Sequence, residues 1–155
     1  MRLEIQPLQA DDIPKCVQIY FDAFQNPHSL ACWPRVPSIR KFWEDMLREE
    51  MGDPNARFLK VMVVSDDDGS GEELVAFAKW VAPKPGVEVD TSLPRWPEEA
   101  DAELCDRTFG DWARRHGELM GTRGHWYLEL LATDLKYQGK GAGTLLLQYG
   151  WRRGG

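Results

Sequence analysis

The chain has 155 residues, enough for one domain with a buried core. Hydrophobic residues make up 43% of it and charged residues 28%, which is a globular composition and argues against disorder. A formal charge of −6 without a long basic run argues against a nucleic-acid binder, and no apolar stretch reaches the roughly eighteen residues of a membrane span.

From the N-terminus, Arg2 and Glu4 interrupt what would be the apolar part of a signal peptide, so secretion is not expected. Leu3 and Ile5 alternate with Glu4 and Gln6, which predicts a strand over residues 2–7. Asp11 or Asp12 can cap a helix, with Pro14 in its first turn and Ile13, Val17, Tyr20 and Phe24 on one face. Pro27, Pro34 and Pro37 predict a loop over residues 26–37. Ser38 can cap a second helix, with Ile39, Phe42, Trp43, Met46 and Leu47 as its apolar stripe and Gly52 as its stop.

Residues 58–64 and 74–81 read as two strands. The acidic linker Asp66-Asp67-Asp68-Gly69 between them suggests a hairpin. Prolines 83, 85, 94 and 97 mark an irregular excursion. Residues 98–120 then read as a long helix, with acids in its first turns, where the helix dipole favours them. Residues 126–133 are apolar apart from Glu129, as expected of a central strand covered on both faces. Gly139 to Gly143 form a glycine-rich turn, and a last helix opens near Thr144. The order β-α-α-β-β-(helix)-β-α is a mixed α/β layout in one domain, residues 1–155. Cys16, Cys32 and Cys105 are odd in number and far apart, without disulfide or metal-ligand spacing. Reduced thiols in the cytoplasm or nucleus are expected.

A buried strand running through glycines into a helix N-terminus leaves backbone N–H groups free at the positive end of the helix dipole. That is an anion site, most naturally for phosphate. A Walker A loop requires Gly-Lys before Ser or Thr, but Lys140 precedes Gly141. The dinucleotide fingerprint G-x-G-x-x-G does not match either. The pattern that does fit is Gln-x-x-Gly-x-Gly at Gln138, Gly141 and Gly143.

Through Gln138-Gly139-Lys140-Gly141-Ala142-Gly143 the sequence resembles the GNAT superfamily of acyl-CoA-dependent N-acyltransferases, whose pyrophosphate motif is R/Q-x-x-G-x-G/A. The preceding strand, ending Leu131-Ala132-Thr133-Asp134, looks like that family's fourth strand. The resemblance extends to GNAT proteins of filamentous fungi, which carry a similar insert at the place of residues 83–124. Leu135 departs from the Pro found in many relatives. The resemblance implies an α+β GNAT-like fold with a mixed sheet. It implies acetyl-CoA, or another acyl-CoA, as the cofactor. Backbone groups around Gly139, Gly141, Ala142, Gly143 and Thr144 would hold the pyrophosphate. Leu130, Leu131 and Ala132 would line the pantetheine arm, and Lys136 and Lys140 would meet adenosine phosphates as point charges. Glu129 would be the base that takes a proton from the amine, and burial would favour proton exchange near neutral pH.

In relatives the fold continues beyond the motif helix with further strands and a Tyr-bearing helix that completes the acceptor side. The expectation is therefore a C-terminally truncated GNAT domain. Its acceptor is a small-molecule or peptide amine, and an exposed sheet edge invites self-association. The alternative is a non-catalytic remnant that serves as a CoA-binding or interaction module.

Overall fold

The computed structural model describes residues 2–65 and 72–154. The acidic linker read as a hairpin turn lies outside the described residues. Strand β1, Arg2–Pro7, leads through one 3-10 turn into helix α1, Ile13–Ala23, with Pro14 in its first turn. Helix α2, Pro27–Cys32, and helix α3, Pro37–Glu50, follow. Strands β2, Ala56–Val64, and β3, Glu73–Val81, precede helix α4, Ala102–Met120. Strand β4, Tyr127–Thr133, a short 3-10 turn and helix α5, Ala142–Gly154, complete the order.

The sheet order is β1-β2-β3-β4, and each neighbouring pair is antiparallel. Side chains alternate through β2: Met62 and Val64 join one core, Val61 and Val63 the other. On one face α1, α3 and their aromatic side chains pack against Leu74 and Phe77. On the other face Ala142 and Leu146 of α5 pack against Val61, Val75 and Ala78. Gly150 continues the α5 stripe at spacings of four, and a Cβ there would stand 2.5 Å from the Trp80 ring. The Trp80 indole also donates to the Leu146 carbonyl at 2.9 Å.

Two irregularities shape the sheet. Pairing shifts between Val61 and Met62, which leaves Val75 of β3 without a residue opposite; its carbonyl accepts instead from the Asp134 N–H at 2.8 Å. Pairing shifts again between Lys79 and Trp80, which face Leu130 and Leu128. Glu129 is therefore the extra residue of a β-bulge.

Several sequence readings change. The described sheet is antiparallel throughout and not mixed. Ser38 does not cap α3, because Pro37 already opens that helix behind Val36. Residues 26–37 are not a continuous loop, because Pro27 opens α2 behind an Asn26 cap that accepts from the Ser29 N–H at 2.8 Å. The long helix begins at Ala102, behind the Asp101 cap, and not at Glu98. Strand β4 is not central: among the described strands it is an edge, and most of its residues are only half-buried. All three cysteines are free and buried. Burial pushes the thiols of Cys16 and Cys105 up to about 12, as befits small hydrophobes and not nucleophiles.

Candidate functional site

At the end of β4 the chain is fixed before it turns. The Asp134 carboxylate accepts from the Lys136 N–H at 2.9 Å, and the Tyr137 N–H returns to the Asp134 carbonyl at 2.8 Å. The Tyr137 hydroxyl donates to Glu73 at 2.9 Å. The Gln138 side-chain amide donates to the Thr133 carbonyl at 3.2 Å, which closes the turn. Gly139 and Gly141 adopt φ of +75° and +97°, values that side chains disfavour, and a Cβ built on either meets nothing within 4 Å. The Gly141 carbonyl accepts the first helical bond of α5, from the Leu145 N–H at 3.1 Å. The N–H groups of Ala142, Gly143 and Thr144 thus have no acceptor within the helix. No acid stands in the first turn of α5, and Arg152 and Arg153 stand in the last. The positive end of the dipole is left to face an anion.

In front of the turn lies an open cleft of about 420 Å³. Leu131, Ala132 and Thr133 form one wall, and Gln138, Gly139, Gly141, Gly143 and Thr144 form its floor. Ala23 and Phe24, at the end of α1, also line it. That end is held by Arg35, whose guanidinium donates to the carbonyls of Phe21, Phe24 and Trp33 and lies over the Phe21 ring.

Most of the residues singled out from sequence meet here, but not all. Leu130 is not in the cleft lining and packs against the α1–α3 core. Ala142 contributes backbone only, because its side chain is buried under the sheet. Lys136 and Lys140 are exposed and do not line the cleft; Lys140 stands 5.3 Å over the Tyr137 ring. The sequence reading missed Ala23, Phe24, Thr133 and Tyr137. The first two come from far away in the chain, and no local signal marks them.

Glu129 lies outside the cleft lining and is not the buried carboxylate expected of a covered strand; its side chain is 40% accessible. It pairs with the Lys79 ammonium at 2.8 Å, and Glu50, the last residue of α3, takes the same ammonium at 2.9 Å. Burial pulls Lys79 down, but Glu129 and Glu50 outweigh it and its net shift is upward. Burial pushes Glu50 up against the pull of Lys79. A lysine inside the apolar run Ala76-Phe77-Ala78-Lys79-Trp80 was the signal for this trio, since a buried ammonium needs partners.

Beside the trio, the Nε2 atoms of His116 and His125 approach to 2.6 Å. His125 donates from Nδ1 to the Arg123 carbonyl, so its Nε2 accepts from His116. His116 stacks on Tyr127 with ring centres 3.9 Å apart. Burial, then His125, hold His116 below its ordinary value of 6.5, against the pull of Glu129. Between the folded and unfolded values the unfolded chain binds more protons, so stability rises with pH there. The contribution of His116 is complete above 6.5 and is lost as pH falls through the folded value. Melting temperatures taken from about pH 7.5 to about pH 5.5 should fall more steeply in the wild type than in His116→Gln. Parallel curves would remove His116 from the effect.

No protein-family model and no curated protein matches the sequence. Solved structures do match. A Corynebacterium glutamicum protein described as histone acetyltransferase HPA2 and related acetyltransferase superimposes on 100% of this chain and 73% of its own, with 21% identity and a TM-score of 0.59. The C-terminal condensation domain of Ebony, solved with beta-alanyl-dopamine, covers 99% of this chain and 68% of its own, at 10% identity and a TM-score of 0.56. A mosquito arylalkylamine N-acetyltransferase like 5b covers 98% and 70%, at 13% identity and a TM-score of 0.53. Among the described residues no helix is long and apolar enough to cross a membrane.

Proposed function

We propose that this chain, which has the fold of the GNAT N-acetyltransferases, binds acetyl-CoA or another acyl-CoA in the cleft and transfers the acyl group to an amine. The observation that carries the reading is the turn itself. Two glycines at positive φ, with open space where side chains would be, lead into a helix N-terminus free of acids and facing a cleft. A diphosphate fits such a cradle by charge and by close backbone approach. When bound, the acyl-CoA supplies an activated thioester. The N–H groups of Ala142, Gly143 and Thr144 would hold its pyrophosphate, while Leu131 and Ala132 give a slender arm an apolar wall. Lys136 and Lys140 reach phosphates only from the exposed rim.

On the acceptor side, Glu129 stands at the bulge with its second carboxylate oxygen available to an ammonium. In this reading it takes the proton that the amine must lose before attack. The acceptor is a small-molecule or peptide amine. Three buried, unpaired thiols fit a reducing compartment, the cytoplasm or nucleus. A second reading, a CoA-binding module without turnover, is favoured by one observation: Glu129 is already engaged by Lys79.

Calorimetry with acetyl-CoA and a thiol-release assay separate these readings. Tyramine, spermidine and a short lysine peptide serve as acceptors. Saturable binding with CoA release on at least one amine is expected. Binding without release supports the module, and a folded protein that does not bind acetyl-CoA overturns both.

A further inference from the structure

We propose that Lys79 is a positioning residue: braced by Glu50, it holds the Glu129 carboxylate at the β4 bulge in the orientation that serves the acceptor amine. This rests on the reading of Glu129 given above. Glu129 has no residue opposite it in the ladder, so strand pairing with β3 does not fix it directly. Its side chain is substantially accessible and would sample several rotamers if left alone. What holds it is the Lys79 ammonium, 2.8 Å away on the neighbouring strand.

Lys79 is itself well fixed. Its side chain is 7% accessible and its ammonium lies 5.9 Å from the centre of the Phe58 ring. Its second carboxylate, Glu50, comes from a different element, the end of α3. With one partner, Lys79 would follow Glu129 wherever it moved. With two, it is pinned from the helix side and offers Glu129 a stationary contact. The arrangement also leaves one carboxylate charge beyond what the ammonium neutralises, so Glu129 is not fully quenched when a second cation arrives. The upward shift of Lys79 agrees with an ammonium that stays charged throughout.

The fold provides its own control. Among the described residues the other buried lysine is Lys60, on β2, which pairs with Asp12 at 2.7 Å. Breaking either lysine's pairing removes a buried ion pair and should lower stability. Only one of them touches Glu129.

The test uses the full chain, acetyl-CoA and whichever of tyramine, spermidine and the lysine peptide is acetylated fastest. Lys79→Met should lower kcat about tenfold to a hundredfold, with the Kd for acetyl-CoA changed less than about twofold. Lys79→Arg, which keeps the charge and can span both carboxylates, should recover most of the rate. Lys60→Met should lower the melting temperature but leave kcat within about twofold. If Lys79→Met does not fold, Glu50→Gln carries the test, with an expected loss in kcat of about threefold or more. A Lys79→Met enzyme with wild-type kcat overturns the proposal. So does Lys79→Arg no better than Lys79→Met, Glu50→Gln at wild-type rate, or Lys60→Met as slow as Lys79→Met. A wild type inactive on all three amines overturns the assignment of Glu129 first, and this inference with it.

Discussion

Gly141→Glu is expected to weaken acetyl-CoA binding by at least about a hundredfold, which corresponds to roughly 3 kcal/mol. Two effects add. Gly141 sits at φ +97°, and a side-chain-bearing residue held there costs about 1–3 kcal/mol. The new carboxylate would also occupy the positive end of α5, where it competes for the N–H groups and repels a diphosphate. Nothing within 4 Å clashes with the added Cβ, so the turn can relax in the unbound protein with a fall of only a few degrees in melting temperature, and the strain is met when acetyl-CoA requires the glycine geometry. Gly141→Ala carries only the backbone strain and should lose roughly tenfold. Calorimetry on both variants, with circular dichroism to check folding, separates strain from charge. Wild-type affinity in Gly141→Glu would remove the glycine turn from the binding site.

The largest stability effect is expected at Gly150. Replacing a glycine inside a helix with alanine normally stabilises it by about 1 kcal/mol. Here the Cβ would lie 2.5–2.6 Å from three carbons of the Trp80 ring. An indole is rigid, Trp80 is buried, and its N–H is committed to the Leu146 carbonyl, so it cannot retreat without losing that bond. Overpacking of this kind costs about 1–3 kcal/mol, and a broken buried hydrogen bond about 1 kcal/mol more. The clash therefore wins over propensity. Gly150→Val should lower stability by about 3 kcal/mol, a fall of roughly 10 °C in melting temperature. Gly150→Ala should fall in the same direction by less. A Gly150→Ala variant that melts higher than the wild type would show that α5 shifts freely over the sheet.

Much of this architecture was legible because periodicity is a local property. The alternation of Leu3 and Ile5, the valine run of β2 and the apolar stripe of α3 each declared their element. The prolines misled, because the same residue ends one element and begins another. Pro27 and Pro37 punctuate residues 26–37 and also open α2 and α3, where a missing N–H costs nothing. The apolar run of β4 suggested a central strand, but an edge strand is equally apolar when helices cover both its faces. Within the site, the turn was visible as a contiguous motif. The α1 part of the lining, Ala23 and Phe24, was not, since only the packing of α1 brings it there. The sequence reading passed over Lys79, although a charge inside a buried apolar strand was the signal for it. Its partners could be found only once α3 and β4 were placed around it.

Strands β3 and β4 are joined by a long excursion, residues 82–126. These strands are antiparallel neighbours, and a tight turn would suffice to join them, yet the chain leaves the sheet after Val81 and returns only at Tyr127. Along the way it builds α4 and packs Trp96 and Phe109 against Trp33, while Cys105 contacts the Cys32 carbonyl. The entropy of closing such an excursion grows only with the logarithm of its length, about 0.6 kcal/mol for each doubling. The register of β3 on β4, and with it the glycine turn, is thus indifferent to how long the detour is. Within residues 82–126 the exposed stretches can change length at little entropic cost, whereas Ala100 and Cys105, buried in the α1–α3 core, mark the part that cannot.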